Sequence, residues 1–273
     1  MTALVWDQTG ERLYETGVRK GVIYPQGENG NYPTGYAWNG LTSASINPTG
    51  AEPNALWADD IKYLNLLSAE EVEGTIEAYM YPDAFKECNG EAELTAGVTI
   101  GQQARKPFGF CFRTVLGNDT KLEDYGYKLH IVYGATVQPS EASYETINDS
   151  PDAITFSWDY STTPVNVTGH KPTATLEIDS TKFNTEALKA KLAALEAVLY
   201  GSDTTVVYVE TGDSTKAADK TYYTRASDGN GGYTYSEFTG SEFVSGTTYY
   251  EAATAGPRLP LPDEIKNILE RNG

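Results

Sequence analysis

The chain has 273 residues, long enough to bury a full core as one large or two smaller domains. Its formal charge is −18, with 38 Asp and Glu against 20 Lys and Arg. That balance disfavours tight nucleic-acid binding, because every phosphate contact must come from a cation that releases counterions, and it favours solubility. No apolar run approaches the ~20 residues of a bilayer span. The first residues, Met1 to Asp7, lack the basic and apolar regions of a signal peptide. The expectation is a chain made and folded in a cytoplasm, with Cys88 and Cys111 as buried free thiols.

In chain order, residues 4–60 read as short β-segments and turns that carry no reactive constellation. Tyr, at 20 copies, and Gly, at 26, fit strands punctuated by turns. Period-two alternation then recurs: Val72, Gly74, Ile76, Ala78 and Met80; Phe108, Phe110 and Phe112; Ile154, Phe156 and Trp158; Ala174, Leu176 and Ile178. Each series predicts a half-buried antiparallel strand with one face on a core. Leu188, Leu192, Leu195 and Leu199 predict one amphipathic helix, capped by Asn184, stapled by Phe183 onto Leu188 and stopped at Gly201. Lys189, Lys191 and Glu196 fall on its polar side. Gly201 to Gly256 lacks Pro, Trp, Cys and His and carries a pseudo-repeat, in which Lys220-Thr221-Tyr222-Tyr223-Thr224 returns as Thr247-Thr248-Tyr249-Tyr250-Glu251. It reads as a small β-unit inserted between the helix and a C-terminal segment, 257–273. There a short helix follows Pro262, with Asp263 and Glu264 at its positive end and Arg271 in its last turn. The domain reading is therefore a core of 1–200, an insert of 201–256 and a returning segment of 257–273.

Searching for chemistry yields little. His130 lies in an alternating strand, on the face opposite Leu129 and Ile131, and His170 precedes Lys171-Pro172 in a turn; neither has zinc-site spacing or a nucleophile motif. Asp59 with Asp60 and Glu70 with Glu71 are neighbours that an extended strand points to opposite faces. Asp228-Gly229-Asn230-Gly231-Gly232 echoes the start of a calcium loop without its downstream Glu, and reads as a hairpin turn. The nucleotide-binding glycine motifs are missing from the sequence. The reading is a non-enzyme with no cofactor and no metal.

Several blocks in order resemble the major tail protein, or tail tube protein, family of long-tailed phages of Gram-positive bacteria. They include Trp6-Asp7-Gln8-Thr9-Gly10, Trp38-Asn39-Gly40-Leu41, Ala58-Asp59-Asp60-Ile61-Lys62-Tyr63-Leu64, Gly97-Val98-Thr99-Ile100-Gly101-Gln102-Gln103, Ile154-Thr155-Phe156-Ser157-Trp158 and Leu259-Pro260-Leu261-Pro262-Asp263-Glu264. The match covers roughly residues 3–200 and the last fifteen; residues 201–256 depart from it. The resemblance implies a mainly β tail-tube fold, with two packed antiparallel sheets, one flanking α-helix and a long projecting hairpin; the inserted β-unit, too large for a narrow bore crowded by six copies, is then expected on the tube exterior. It implies a virion structural protein assembled in the host cytoplasm, whose stacked hexameric rings form the tail tube, the conduit for genome ejection. Its partners are then other copies of itself, a tape measure protein inside, tail terminator and distal tail proteins at the ends, and DNA in non-specific transit, with no membrane. For the inter-ring hairpin the turn formers Pro48, Gly50 and Pro53 single out Ile46, Asn47, Pro48, Thr49, Gly50, Ala51, Glu52, Pro53, Asn54, Ala55, Leu56 and Trp57, between strand-like segments at 36–46 and 56–67. The reading from another class is a carbohydrate- or cell-surface-binding β-module, favoured by the many tyrosines.

Overall fold

A computed structural model describes residues 4–50, 53–67, 70–144, 146–147, 152–211, 213, 215–217, 220–227 and 233–270. The chain is mainly β, with every strand pair antiparallel. In chain order the first strands are β1 (Leu13–Pro25), β2 (Tyr36–Trp38), β3 (Leu41–Ala44), β4 (Asn47–Gly50), β5 (Pro53–Ala58), β6 (Ile61–Leu67) and β7 (Glu70–Ala78). There follow β8 (Ala92–Thr95), β9 (Val98–Ile100), β10 (Phe108–Asn118), β11 (Leu122–Val137), β12 (Phe156–Thr162) and β13 (Thr175–Asp179). Helix α1 (Glu186–Tyr200) leads to β14 (Ser202–Glu210), β15 (Tyr222–Ser227), β16 (Tyr233–Glu237) and β17 (Tyr250–Ala255), and α2 (Pro262–Glu270) closes the chain.

The core is not two separate sheets packed together. One nine-stranded sheet runs β2-β1-β10-β11-β12-β7-β3, with β13 also on β11 and β4 also on β7. It curls until its ends meet. Trp38, Asn39, Gly40 and Leu41 carry the chain from the β1 edge to the β7 edge in one tight turn, and Leu41 lies against Gly21 of β1. The branch point is Gly134. Residues 128–132 of β11 pair with β13, whereas 135–137 pair with β12. At φ +60° the Gly134 backbone donates from N–H to the Tyr32 hydroxyl (2.9 Å) and accepts from Thr163 N–H (2.9 Å). An added Cβ would stand 2.2 Å from the Thr163 carbonyl oxygen, so only glycine turns the strand here.

Because the sheet is curled, its strands bury both faces, and the alternation resolves into two cores. Inside the curl, Ile76, Phe108, Phe110, Val132 and Tyr160 surround an aromatic cluster in which Trp38 meets Phe85 at 4.6 Å, Trp158 at 5.6 Å and Phe110 at 5.7 Å. On the outer face Val22, Tyr24, Cys111, Leu129, Ile131 and Tyr133 lie under Leu192, Leu195 and Leu199 of α1 and Ile265 of α2. Cys88 belongs to the inner core and Cys111 to the outer; both are free, and burial pushes both thiols up to about 12.

The helix differs from the sequence reading at its start. Thr185, not Asn184, is the cap, its hydroxyl accepting from Leu188 N–H at 3.3 Å, because Asn184 is still in the preceding loop. Glu196, expected among solvated groups, is half-buried beside the Tyr127 phenol, since position 196 borders the Leu192–Leu199 stripe. The C-terminal segment returns through a bridge between Leu259 and Tyr32 and a hydrogen bond from the Tyr133 hydroxyl to the Pro260 carbonyl (2.9 Å). The Asp263 carboxylate, in the first turn of α2, accepts from Thr168 N–H and its hydroxyl, holding the acid below its usual range. Arg271 lies outside the described residues.

Strands β14 to β17 form a four-stranded sheet of their own, ordered β14-β17-β15-β16. The two halves of the pseudo-repeat are neighbours in it, with Tyr222 opposite Glu251 and Tyr223 opposite Tyr250. The turn at 228–232, with its calcium-loop echo, lies outside the described residues.

Candidate functional site

Chemistry-bearing side chains come together at one place in the curled sheet. Strands β1, β10, β11 and β13 lie side by side, and α1 covers one face through the alternate residues Cys111, Leu129, Ile131 and Ile178. The opposite, helix-free face carries Glu15, Thr114, Lys128, His130 and Glu177. His130 stacks on Phe112 at 4.9 Å, with Nε2 2.9 Å from the Thr114 hydroxyl and 3.1 Å from Glu15 Oε1, and Nδ1 3.7 Å from Glu177. Lys128 joins the same two carboxylates, at 3.2 Å to Glu15 and 3.0 Å to Glu177. Burial alone would raise the Glu15 carboxyl, but hydrogen bonds from Thr114 and Lys128 hold it below its usual range.

This is a closed ionic network. Each carboxylate already has a cation, and the histidine is stacked on Phe112 and hydrogen-bonded to the Thr114 hydroxyl, which itself donates to Glu15. No group of three or more His, Cys, Asp or Glu side chains among those residues is arranged to hold a metal ion. Glu70 and Glu71 sit at successive positions of β7, opposite Gly50 and Thr49. Asp59 and Asp60 are not strand neighbours at all. With φ of 51° and 60° they are the two central residues of the turn between β5 and β6.

That turn relocates the projecting hairpin. Residues 47–50 and 53–57 of the 46–57 candidate are strand, with Ala51 and Glu52 outside the described residues. The turn that the described residues show is at Asp59-Asp60, and 47–50 and 53–57 are strand on its outgoing side. An edge strand tolerates these prolines: Pro48 pairs with Val72 within β4, which pairs on one side only, and Pro53 with Leu67 at the start of β5. The missed signal was an Asp-Asp pair between apolar runs. Aspartate is among the residues that accept the left-handed conformation a two-residue hairpin turn requires.

Among the described residues the hairpin β5–β6 pairs only within itself. It exposes Leu56, Trp57, Ile61, Tyr63, Leu64 and Leu66, with Trp57 and Tyr63 each 69% accessible. The return arm, which sequence reasoning took as a flanking strand, therefore contributes more apolar surface than the outgoing one. An isolated two-stranded hairpin is marginal in water, and clustered apolar side chains on it mark a contact surface. Other edges are open among the described residues, two of them beside the polar network. β13 pairs only with β11, and Leu13–Thr16 of β1 pair only with β10. Leu4, Val5 and Trp6 lie exposed ahead of β1.

No known protein family model matches this chain, and no curated protein matches it.

Proposed function

We propose that this chain is a self-assembling structural subunit of the phage tail-tube type, polymerising as stacked hexameric rings into the conduit for genome ejection. The observation that carries the reading is the β5–β6 hairpin, a two-stranded arm with six large apolar side chains exposed and, among the described residues, no further strand paired with it. A neighbouring copy receives it, and head-to-tail contacts around a ring cover the open edges of β13 and the first half of β1. The ordered sequence blocks that resemble tail tube proteins support the same reading.

The end of the helix-free face that lies beyond the inner core, around Glu15, Thr114, Lys128, His130 and Glu177, turns to the bore. Its polar network of Glu15, Thr114, Lys128, His130 and Glu177 is wettable, whereas the opposite face is sealed by α1. A passing phosphate backbone then meets groups already paired with one another, within a chain of net charge −18, and does not adhere. The tape measure protein, tail terminator and distal tail proteins are the partners of such a tube, and the β14–β17 sheet decorates its outside.

Leu64→Asp tests the hairpin directly. Leu64 is exposed, so the substitution leaves the monomer folded while placing a charge in the proposed contact. The expected result is loss of assembly by light scattering with an unchanged monomer melting curve; assembly equal to that of the parent chain would reject the hairpin's role.

A further inference from the structure

A second cleft lies away from the hairpin and the polar network, where the turn after β7, the loop after β9, the β11–β12 connection and the start of β12 converge. Its volume is about 210 Å³. That is below the ~300–1,000 Å³ of pockets that enclose drug-sized ligands, so it suits a single ring. Tyr81, Phe156 and Tyr144 give it aromatic walls, Tyr81 and Phe156 standing edge to face at 5.8 Å.

The informative group is Arg105. Each of the other described arginines has a partner: Arg12 the Asp7 carbonyl, Arg19 Glu123, Arg113 the Tyr127 ring, Arg225 the Tyr233 ring and Arg258 Glu264. Arg105 is half-buried, lines the cleft and has no ion pair, hydrogen bond or ring contact among the described residues, and its Nε is buried without an acceptor. In a chain with 38 acidic residues an unpaired, partly desolvated guanidinium is costly and marks an anion that arrives from outside. Its place is built. Gly90 leaves the room that Arg105 occupies, since a Cβ there would stand 3.2 Å from the Arg105 Cγ and 3.4 Å from its guanidinium carbon.

The rest of the cleft limits what that anion is. Glu91 lines it with both carboxylate oxygens fixed, one accepting from Asn89 at 2.6 Å and the other at 3.5 Å from the Tyr81 hydroxyl. Glu141 lines it too. Two carboxylates repel a phosphate dianion but accept from hydroxyls, while aromatic walls favour the face of a ring. We propose that this cleft binds a single carboxylated sugar ring, its carboxylate on Arg105, its ring against Tyr81, Phe156 and Tyr144, and its hydroxyls donating to Glu91.

Saturation-transfer NMR on this chain in its unassembled form tests this with glucuronic acid, glucose, acetate and inorganic phosphate as separate probes. The site predicts transfer to glucuronic acid and at least tenfold weaker binding of the other three, with at least a tenfold loss for glucuronic acid in Arg105→Gln. Tyr144 is 75% accessible, so Tyr144→Ser removes one wall without unfolding the chain and should also weaken glucuronic acid. Equal binding of glucose or acetate, tighter binding of phosphate, no binding of glucuronic acid, or an unchanged affinity in a folded Arg105→Gln or Tyr144→Ser chain would overturn the proposal. None of these readouts requires rings, so the cleft and the assembly reading stand or fall separately.

Discussion

At the scale of single residues, Gly134 decides the architecture. One left-handed residue lets β11 serve β13 on one stretch and β12 on the next, and the Tyr32 hydroxyl and Thr163 N–H satisfy the backbone groups that the change of partner frees. Gly134→Ala should cost at least about 2 kcal/mol, from the left-handed backbone and the overlap with the Thr163 carbonyl. Chemical denaturation measures it, and a loss below about 0.5 kcal/mol would show that the branch does not depend on glycine. Nothing in the sequence marks Gly134 among the 26 glycines, because its role arises from Thr163, a contact 29 positions away in the chain. The same holds for Arg105, whose isolation is visible only once the other arginines have found their partners.

At the scale of elements, most of the alternating segments were legible. Val72, Gly74, Ile76 and Ala78 face inward along β7, and Phe108, Phe110 and Phe112 fill the inside of the curl. Met80 breaks the series, being past the strand end and exposed, because alternation cannot say where pairing stops. The helix is legible through its leucine stripe, while its cap falls one residue later than Asn184 and Glu196 borders the buried stripe. The hairpin was harder. Prolines outweighed Asp59-Asp60 as turn signals, although both arms read as strand on their own pattern. Since β5 and β6 pair only with each other among the described residues, amides in 53–67 of the free monomer should exchange orders of magnitude faster than those in β10 and β11. Hydrogen exchange on monomer and assembly checks this. Strong protection of 53–67 before assembly would mean that the arm is already packed and awaits no partner.

At the scale of the whole molecule, the sequence indicated strands, a helix and a distinct tyrosine-rich stretch, but not that one curled sheet would supply both cores. Closure depends on the two-residue link between β2 and β3, and local periodicity carries no information about which edges such a link joins. Four strands within residues 202–255 hydrogen-bond among themselves in a sheet of their own. Deleting 201–256 should therefore leave assembly intact in size-exclusion profiles, whereas loss of large species would make that sheet part of the contact. The central claim, that copies of this chain complete one another around a hollow axis, is tested most directly by negative-stain electron microscopy of the concentrated protein. The account predicts six-fold rings and stacked tubes with an open bore; a field of separate single-chain particles at every concentration would contradict it.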